Sequence, residues 1–157
     1  MFCINNFERG AIMIGKKRHT YVSIQSLQDG VTGSRTLVVI TFANKDSVMF
    51  LVDCGMYQGS IEEYERNGKL EFKPKNLDFV ILTHAHIDHC GQIPVLYSKG
   101  DSMPVFMTED TMKISEKLLD NTAKIVKSSS HPIFSYQDLE RAKSEFRAVD
   151  ECKWEKN

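Results

Sequence analysis

The sequence predicts an α/β fold, a mixed sheet flanked by helices. Three observations predict it. Apolar, β-branched runs fill the first half of the chain, turn signals separate them, and a 3.6-residue apolar period takes over from Asp110 onward. At 157 residues the chain can bury one real core and is too short for two comfortable domains. We therefore read residues 1–157 as a single domain, with residues 1–19 irregular.

Each element has its own signal. Residues 21–27 (Tyr-Val-Ser-Ile-Gln-Ser-Leu) alternate apolar and polar side chains, the pattern of a partly buried strand. Gln28-Asp29-Gly30 and Val31-Thr32-Gly33-Ser34 then read as turn and loop. Residues 36–42 and 47–52 are apolar runs on either side of Asn44-Lys45-Asp46, which predicts a hairpin. Both runs are almost wholly apolar, so burial on both faces is expected. After Asp53-Cys54-Gly55 the chain turns polar, with helical character over 61–66. A short strand at 79–82 runs straight into Thr83-His84-Ala85-His86. A short helix is expected at 93–97 and a short strand at 104–107. Residues 110–127 form an amphipathic helix through Met112, Ile114, Leu118, Leu119, Ala123 and Val126. Ser135 caps a second helix running to about Phe146, with Asp138 as its capping-box partner, and a strand follows from Arg147.

Composition narrows the function classes. Hydrophobic residues make up 41% and charged residues 26%, the net charge is −1, and the pI is about 6.5. No basic field of the kind nucleic-acid binders carry is present, which weakens that class without excluding it. Lys16-Lys17-Arg18 and Lys73-Pro74-Lys75 read as solvated surface. Asn5, Asn6, Glu8 and Arg9 interrupt any secretion-signal core, and no run approaches the roughly 20 apolar residues of a membrane span. Cys3, Cys54, Cys90 and Cys152 are widely spaced with no CxxC pair, so a cytoplasmic location and no membrane partner are expected.

The chemistry concentrates in His84-Ala85-His86-Ile87-Asp88-His89, which holds three of the five histidines. His84 and His86 continue the period of two set by the preceding strand and project to one side, where two imidazoles can grip one ion. Asp88 and His89, adjacent past the turn, can face a second. Imidazole and carboxylate suit zinc and other transition metals, and paired ions can acidify a shared water. A packing role would suit one strand-end histidine. Three with an aspartate in six residues point to metal. His131, in an exposed loop, and His19, after a basic run, read as lying outside the ligand set.

HxHxDH after a short apolar strand resembles the signature of the metallo-β-lactamase superfamily. The flanking Val31-Thr32-Gly33-Ser34, the run Asp53-Cys54-Gly55-Met56-Tyr57-Gln58-Gly59 and the run from Thr83 through Pro94 look like its β-CASP branch, which processes nucleic acids. Thr108, Thr111 and Asp120 resemble the segment that follows. The branch often carries a small or apolar residue where Cys90 stands, so the resemblance implies buried packing for Cys90 and not a ligand role. The resemblance implies the N-terminal half of an αββα sandwich. It implies two zinc ions in the complete site, held by His84 and His86 and by Asp88 and His89, with Asp88 the catalytic carboxylate that orients the attacking water. Asp53 matches the family's first motif, an acidic residue that supports the site, and a carboxylate at a buried strand end can indeed orient nearby histidines.

The family's later ligand motifs and its β-CASP segment have no counterpart before Asn157. We therefore expect a partial domain, as a fragment, a truncated product or a degenerate relative, with partial metal occupancy. It would need its missing C-terminal half or self-associate. The expected activity of the complete protein is ribonuclease-type hydrolysis of RNA phosphodiesters. An inactive metal-binding module acting through a partner is the alternative from another class. A thioesterase of the glyoxalase II type is a third, disfavoured by Gly91-Gln92-Ile93-Pro94 and the Val31–Ser34 loop.

Overall fold

The computed structural model describes residues 20–28, 30–127 and 132–150. His19, His131, Cys3, Cys152 and the 16–18 basic cluster lie outside the described residues.

The strands join one mixed sheet whose spatial order follows the chain: β1 (Tyr21–Ser26), β2 (Thr36–Thr41), β3 (Ser47–Val52), β4 (Phe79–Ile81), β5 (Val105–Met107) and β6 (Phe146–Ala148). The first three form an antiparallel meander, with Ile24 opposite Val38 and Val38 opposite Phe50. From β3 onward the pairing is parallel, and helical crossovers supply the return paths. The helices are α1 (Ile61–Tyr64), α2 (Ile87–Cys90), α3 (Glu109–Lys127) and α4 (Tyr136–Ser144), with 3₁₀ turns at Pro74–Asn76 and Ile93–Tyr97.

Residue chemistry sets the boundaries. Ser135 Oγ accepts from the Asp138 amide while Asp138 Oδ2 accepts from the Ser135 amide at 2.9 Å, closing the expected capping box. The helix stops at Ser144, short of the expected Phe146, because Phe146 pairs with Val105 as the first residue of β6. Thr108 Oγ1 accepts from the Thr111 amide at 3.3 Å at the start of α3, and Asp120 on α3 is bound to Lys143 of α4.

Alternation along the strands gives the sheet two unlike faces. Leu37, Leu51, Val80, Val105 and Met107 point into a core closed by Leu96, Tyr97, Leu119, Val126 and Leu139. The opposite face carries Ile24, Ile40, Phe50, Phe79 and Phe106, all half-buried. There Phe50 stacks on Phe79 at 4.7 Å between ring centroids, and Phe106 meets Phe79 edge-on at 5.8 Å. Burial on both faces, expected from the all-apolar strands, holds at Leu37 and Val38, which are adjacent on β2, point to opposite faces and are both buried; around Val38 the second face is half-buried among the described residues. No helix among the described residues is long and apolar enough to cross a membrane.

Candidate metal centre

The parallel strands β3 and β4 end side by side, and the candidate residues leave from their C-terminal ends, where open parallel sheets place their functional loops. The Asp53 amide donates to Ile81 O at 2.9 Å, extending the pairing by one residue. Asp53 then takes φ +60, the left-handed region that aspartate tolerates better than most residues. Its buried carboxylate collects donors. Oδ1 accepts from the Thr83 amide at 2.8 Å, both oxygens lie 2.9 Å from Thr83 Oγ1, and Oδ2 lies 2.8 Å from His89 Nδ1.

His86 is the N-cap of α2, and Asp88 and His89 ride on that single helical turn. The turn is held from outside by two loops. The Ser34 amide donates to Asp88 O at 2.7 Å, the Cys54 amide to His89 O at 2.8 Å, and the Met56 amide to Ile87 O at 3.0 Å. Gly55 crosses so closely that a Cβ there would fall 1.6 Å from Asp88 O, so only glycine fits. Thus the Val31–Ser34 loop and the run after Asp53 position the ligand turn by backbone contacts.

The four candidate side chains are gathered together. The His84 ring lies 3.9 Å from that of His89 and 4.8 Å from that of His86, centroid to centroid. His84 sits nearer to His89 than to His86, its expected partner, because the helical turn carries His89 back toward the strand end. Asp88 Oδ2 is 3.6 Å from His89 Nε2.

These residues suit a metal in chemistry and in pairs. Nδ1 of His84 faces Thr83 Oγ1 at 3.0 Å and Nδ1 of His89 faces Asp53, so Nε2 is the nitrogen left to ligate on each ring. Two ligands on one tetrahedral ion, with bonds of about 2.0–2.1 Å, stand about 3.3 Å apart. The Asp88–His89 separation is close to that. Among the described residues no group of three or more His, Cys, Asp or Glu side chains is arranged to hold one ion.

Sequence reasoning passed over several supporting residues. Gln92 is fully buried; its Nε2 donates to Gly55 O at 2.8 Å and its Oε1 accepts from the Gly68 amide at 2.7 Å. Asn67 clamps Tyr57 through both amide atoms, at 2.8 and 3.0 Å. Arg35, also fully buried, donates through Nη1 to Glu71 Oε2 at 3.0 Å and to Lys69 O at 3.3 Å. A polar residue inside an otherwise apolar stretch was the available signal for Gln92; Arg35 and Asn67 gave none. Cys90 is buried, as the resemblance implied, and its thiol donates to Ala85 O at 3.2 Å. Burial pushes the Cys54 thiol up to about 11 and the Cys90 thiol up to about 12.

The family model of the metallo-beta-lactamase superfamily matches residues 31–151. The chain belongs to that superfamily. Its curated relatives fall in the β-CASP branch that the motifs resemble. A ribonuclease of Thermus thermophilus is 38% identical over 104 residues, covering 66% of this chain and 23% of the relative. The Integrator complex subunit 11 homolog of Dictyostelium discoideum is 34% identical over 111 residues, covering 66% and 14%. Transcription termination factor FttA of Methanocaldococcus jannaschii is 34% identical over 84 residues, covering 53% and 13%. This superfamily chain thus spans less than a quarter of the length of these relatives. Human tRNase Z, short form, overlaps it over 73% of this chain and 43% of that one, with 16% identity and a TM-score of 0.35.

Proposed function

We propose that this chain carries the first two motifs of a metal-dependent hydrolase that cleaves RNA phosphodiesters. The observation that carries the reading is the convergence of His84, His86, Asp88 and His89 at the ends of β3 and β4, with Asp53 behind them. The ribonuclease name of a relative at 38% identity supports RNA as the substrate class.

In this reading His84 and His86 hold one ion, and Asp88 and His89 hold a second. Bound zinc or a similar ion would polarise the phosphoryl group and acidify water. The chain's own residues do the rest. Asp53 holds His89 by Nδ1 and so aims Nε2 outward beside Asp88. The Asp88 carboxylate accepts a hydrogen bond from the attacking water and turns its lone pair toward phosphorus. Gly55 and Ser34 fix the backbone under Asp88, so the carboxylate is placed before substrate arrives.

One observation favours a second reading, a metal-binding module that works only with a partner: no three donors among the described residues are arranged around one point. A single experiment separates the two. The chain is incubated with labelled single-stranded RNA and zinc or manganese, alone and mixed with the remaining portion of a full-length relative. The hydrolase reading expects feeble cleavage alone and chelator-sensitive cleavage in the mixture, lost in Asp88→Ala. Cleavage that ignores chelator, or that Asp88→Ala leaves intact, contradicts it. No cleavage in either arm, with metal still bound, favours the module.

A further inference from the structure

Thr83 has no part in the donor set, yet its hydroxyl lies between two of the histidines' anchoring points. Oγ1 is 2.9 Å from both oxygens of Asp53 and 3.0 Å from His84 Nδ1. On the far side of the same carboxylate, Oδ2 is 2.8 Å from His89 Nδ1. Counting protons fixes the direction of every bond. An ionised carboxylate has none to give, so Thr83 spends its one hydroxyl hydrogen on Asp53. The hydroxyl oxygen can then only accept from His84, and that requires the proton on Nδ1. His89 must likewise donate from Nδ1 to Asp53. The two rings are therefore read out by a single buried carboxylate, one directly and one through a hydroxyl.

We propose that Thr83 is a positioning residue that links His84 to Asp53 and so holds His84, before any ion arrives, in the same Nδ1–H tautomer that Asp53 imposes directly on His89. Neutral histidine in water favours the other tautomer modestly, so without the link His84 presents a protonated Nε2 for part of the time. An ion then has to wait for the exchange or displace the proton. The Asp53 backbone at φ +60 and the Thr83 amide bond to Oδ1 hold the carboxylate still, so the link does not depend on the ion. The consequence for metal binding rests on the metal-centre reading above; the tautomers do not.

The test compares Thr83→Val, which removes the hydroxyl and keeps the shape, with Thr83→Ser, which keeps the hydroxyl. Long-range proton–nitrogen NMR spectra of the metal-free full chain report the tautomer of each histidine. Zinc titration against a competing dye reports affinity. The wild type should show Nδ1–H at both His84 and His89. Thr83→Val should move His84 to mixed or Nε2–H signals, leave His89 as it was, and weaken zinc by about tenfold. Thr83→Ser should restore both readouts. An unchanged His84 tautomer in Thr83→Val overturns the link, and a changed tautomer with unchanged zinc affinity overturns its positioning role. If the wild type takes up no zinc, the metal-centre reading falls and the NMR arm alone decides the link.

Discussion

Replacing Gly55 by alanine puts a methyl group where the backbone of α2 already lies. The added Cβ would stand 1.6 Å from Asp88 O, 2.2 Å from Asp88 C and 2.8 Å from His89 N. An ordinary carbon–oxygen contact is about 3.3 Å, so the two segments have to part by about 1.7 Å. That opening breaks the bonds crossing the gap, Cys54 N to His89 O and Met56 N to Ile87 O, now 2.8 and 3.0 Å. It also strains the Ser34 amide bond to Asp88 O. At about 0.5–1.5 kcal/mol for each bond, the loss is about 2–4 kcal/mol. Against a total stability of about 5–15 kcal/mol this is large. With a urea slope of about 1–3 kcal/mol per molar, the midpoint should fall by about 1–2 M. Gly30→Ala is the control, since a Cβ there meets nothing within 4 Å. Urea unfolding followed by circular dichroism reads both variants. A Gly55→Ala midpoint equal to that of Gly30→Ala would refute the claim that these loops grip the ligand turn.

Other outcomes follow from the same contacts. Gln92→Leu keeps the volume but leaves Gly55 O and the Gly68 amide without their side-chain partner; we expect a loss of about 1–3 kcal/mol for each group left unsatisfied, and a denaturation midpoint at the wild-type value would contradict this. Cys54 and Cys90 should resist a thiol reagent at neutral pH until the protein unfolds, because burial holds both thiols protonated. Their folded values lie above the unfolded one, so this contribution to stability is complete below about pH 9 and is lost as pH rises toward about 11; stability that climbs over that window would contradict it. The half-buried face of Ile24, Ile40, Phe50, Phe79 and Phe106 should bind a hydrophobic dye and drive concentration-dependent association in analytical ultracentrifugation. A monomer at all concentrations with no dye binding would contradict that.

The fold was legible where side-chain patterns are local. The hairpin of β2 and β3, the amphipathic period of α3 and the Ser135–Asp138 box each depend on neighbours in sequence, and each lies within a residue or two of its expected place. The end of α4 was not legible, because Phe146 is claimed by a strand pairing with Val105, more than forty residues earlier. Burial of the strands on both faces was legible only in part, reaching Val38 on the second face while its neighbours stay half-buried among the described residues: apolar content shows that a face can be buried, and only tertiary structure shows what covers it. In the site, residue types identified the histidine cluster. They could not show that His84 lies closest to His89, which depends on the α2 turn. Nor could they reveal Thr83, Gln92 and Arg35, whose roles consist of contacts spanning from one to more than thirty residues.

The central claim is that the His84–His89 segment holds a transition metal, and metal content tests it most directly. The chain is purified without chelator, and its zinc, manganese and iron are measured per mole of protein. The wild type should retain an ion, at partial occupancy, and His84→Ala combined with His86→Ala should lose most of it while staying folded by circular dichroism. Equal metal content in the two proteins would contradict the account.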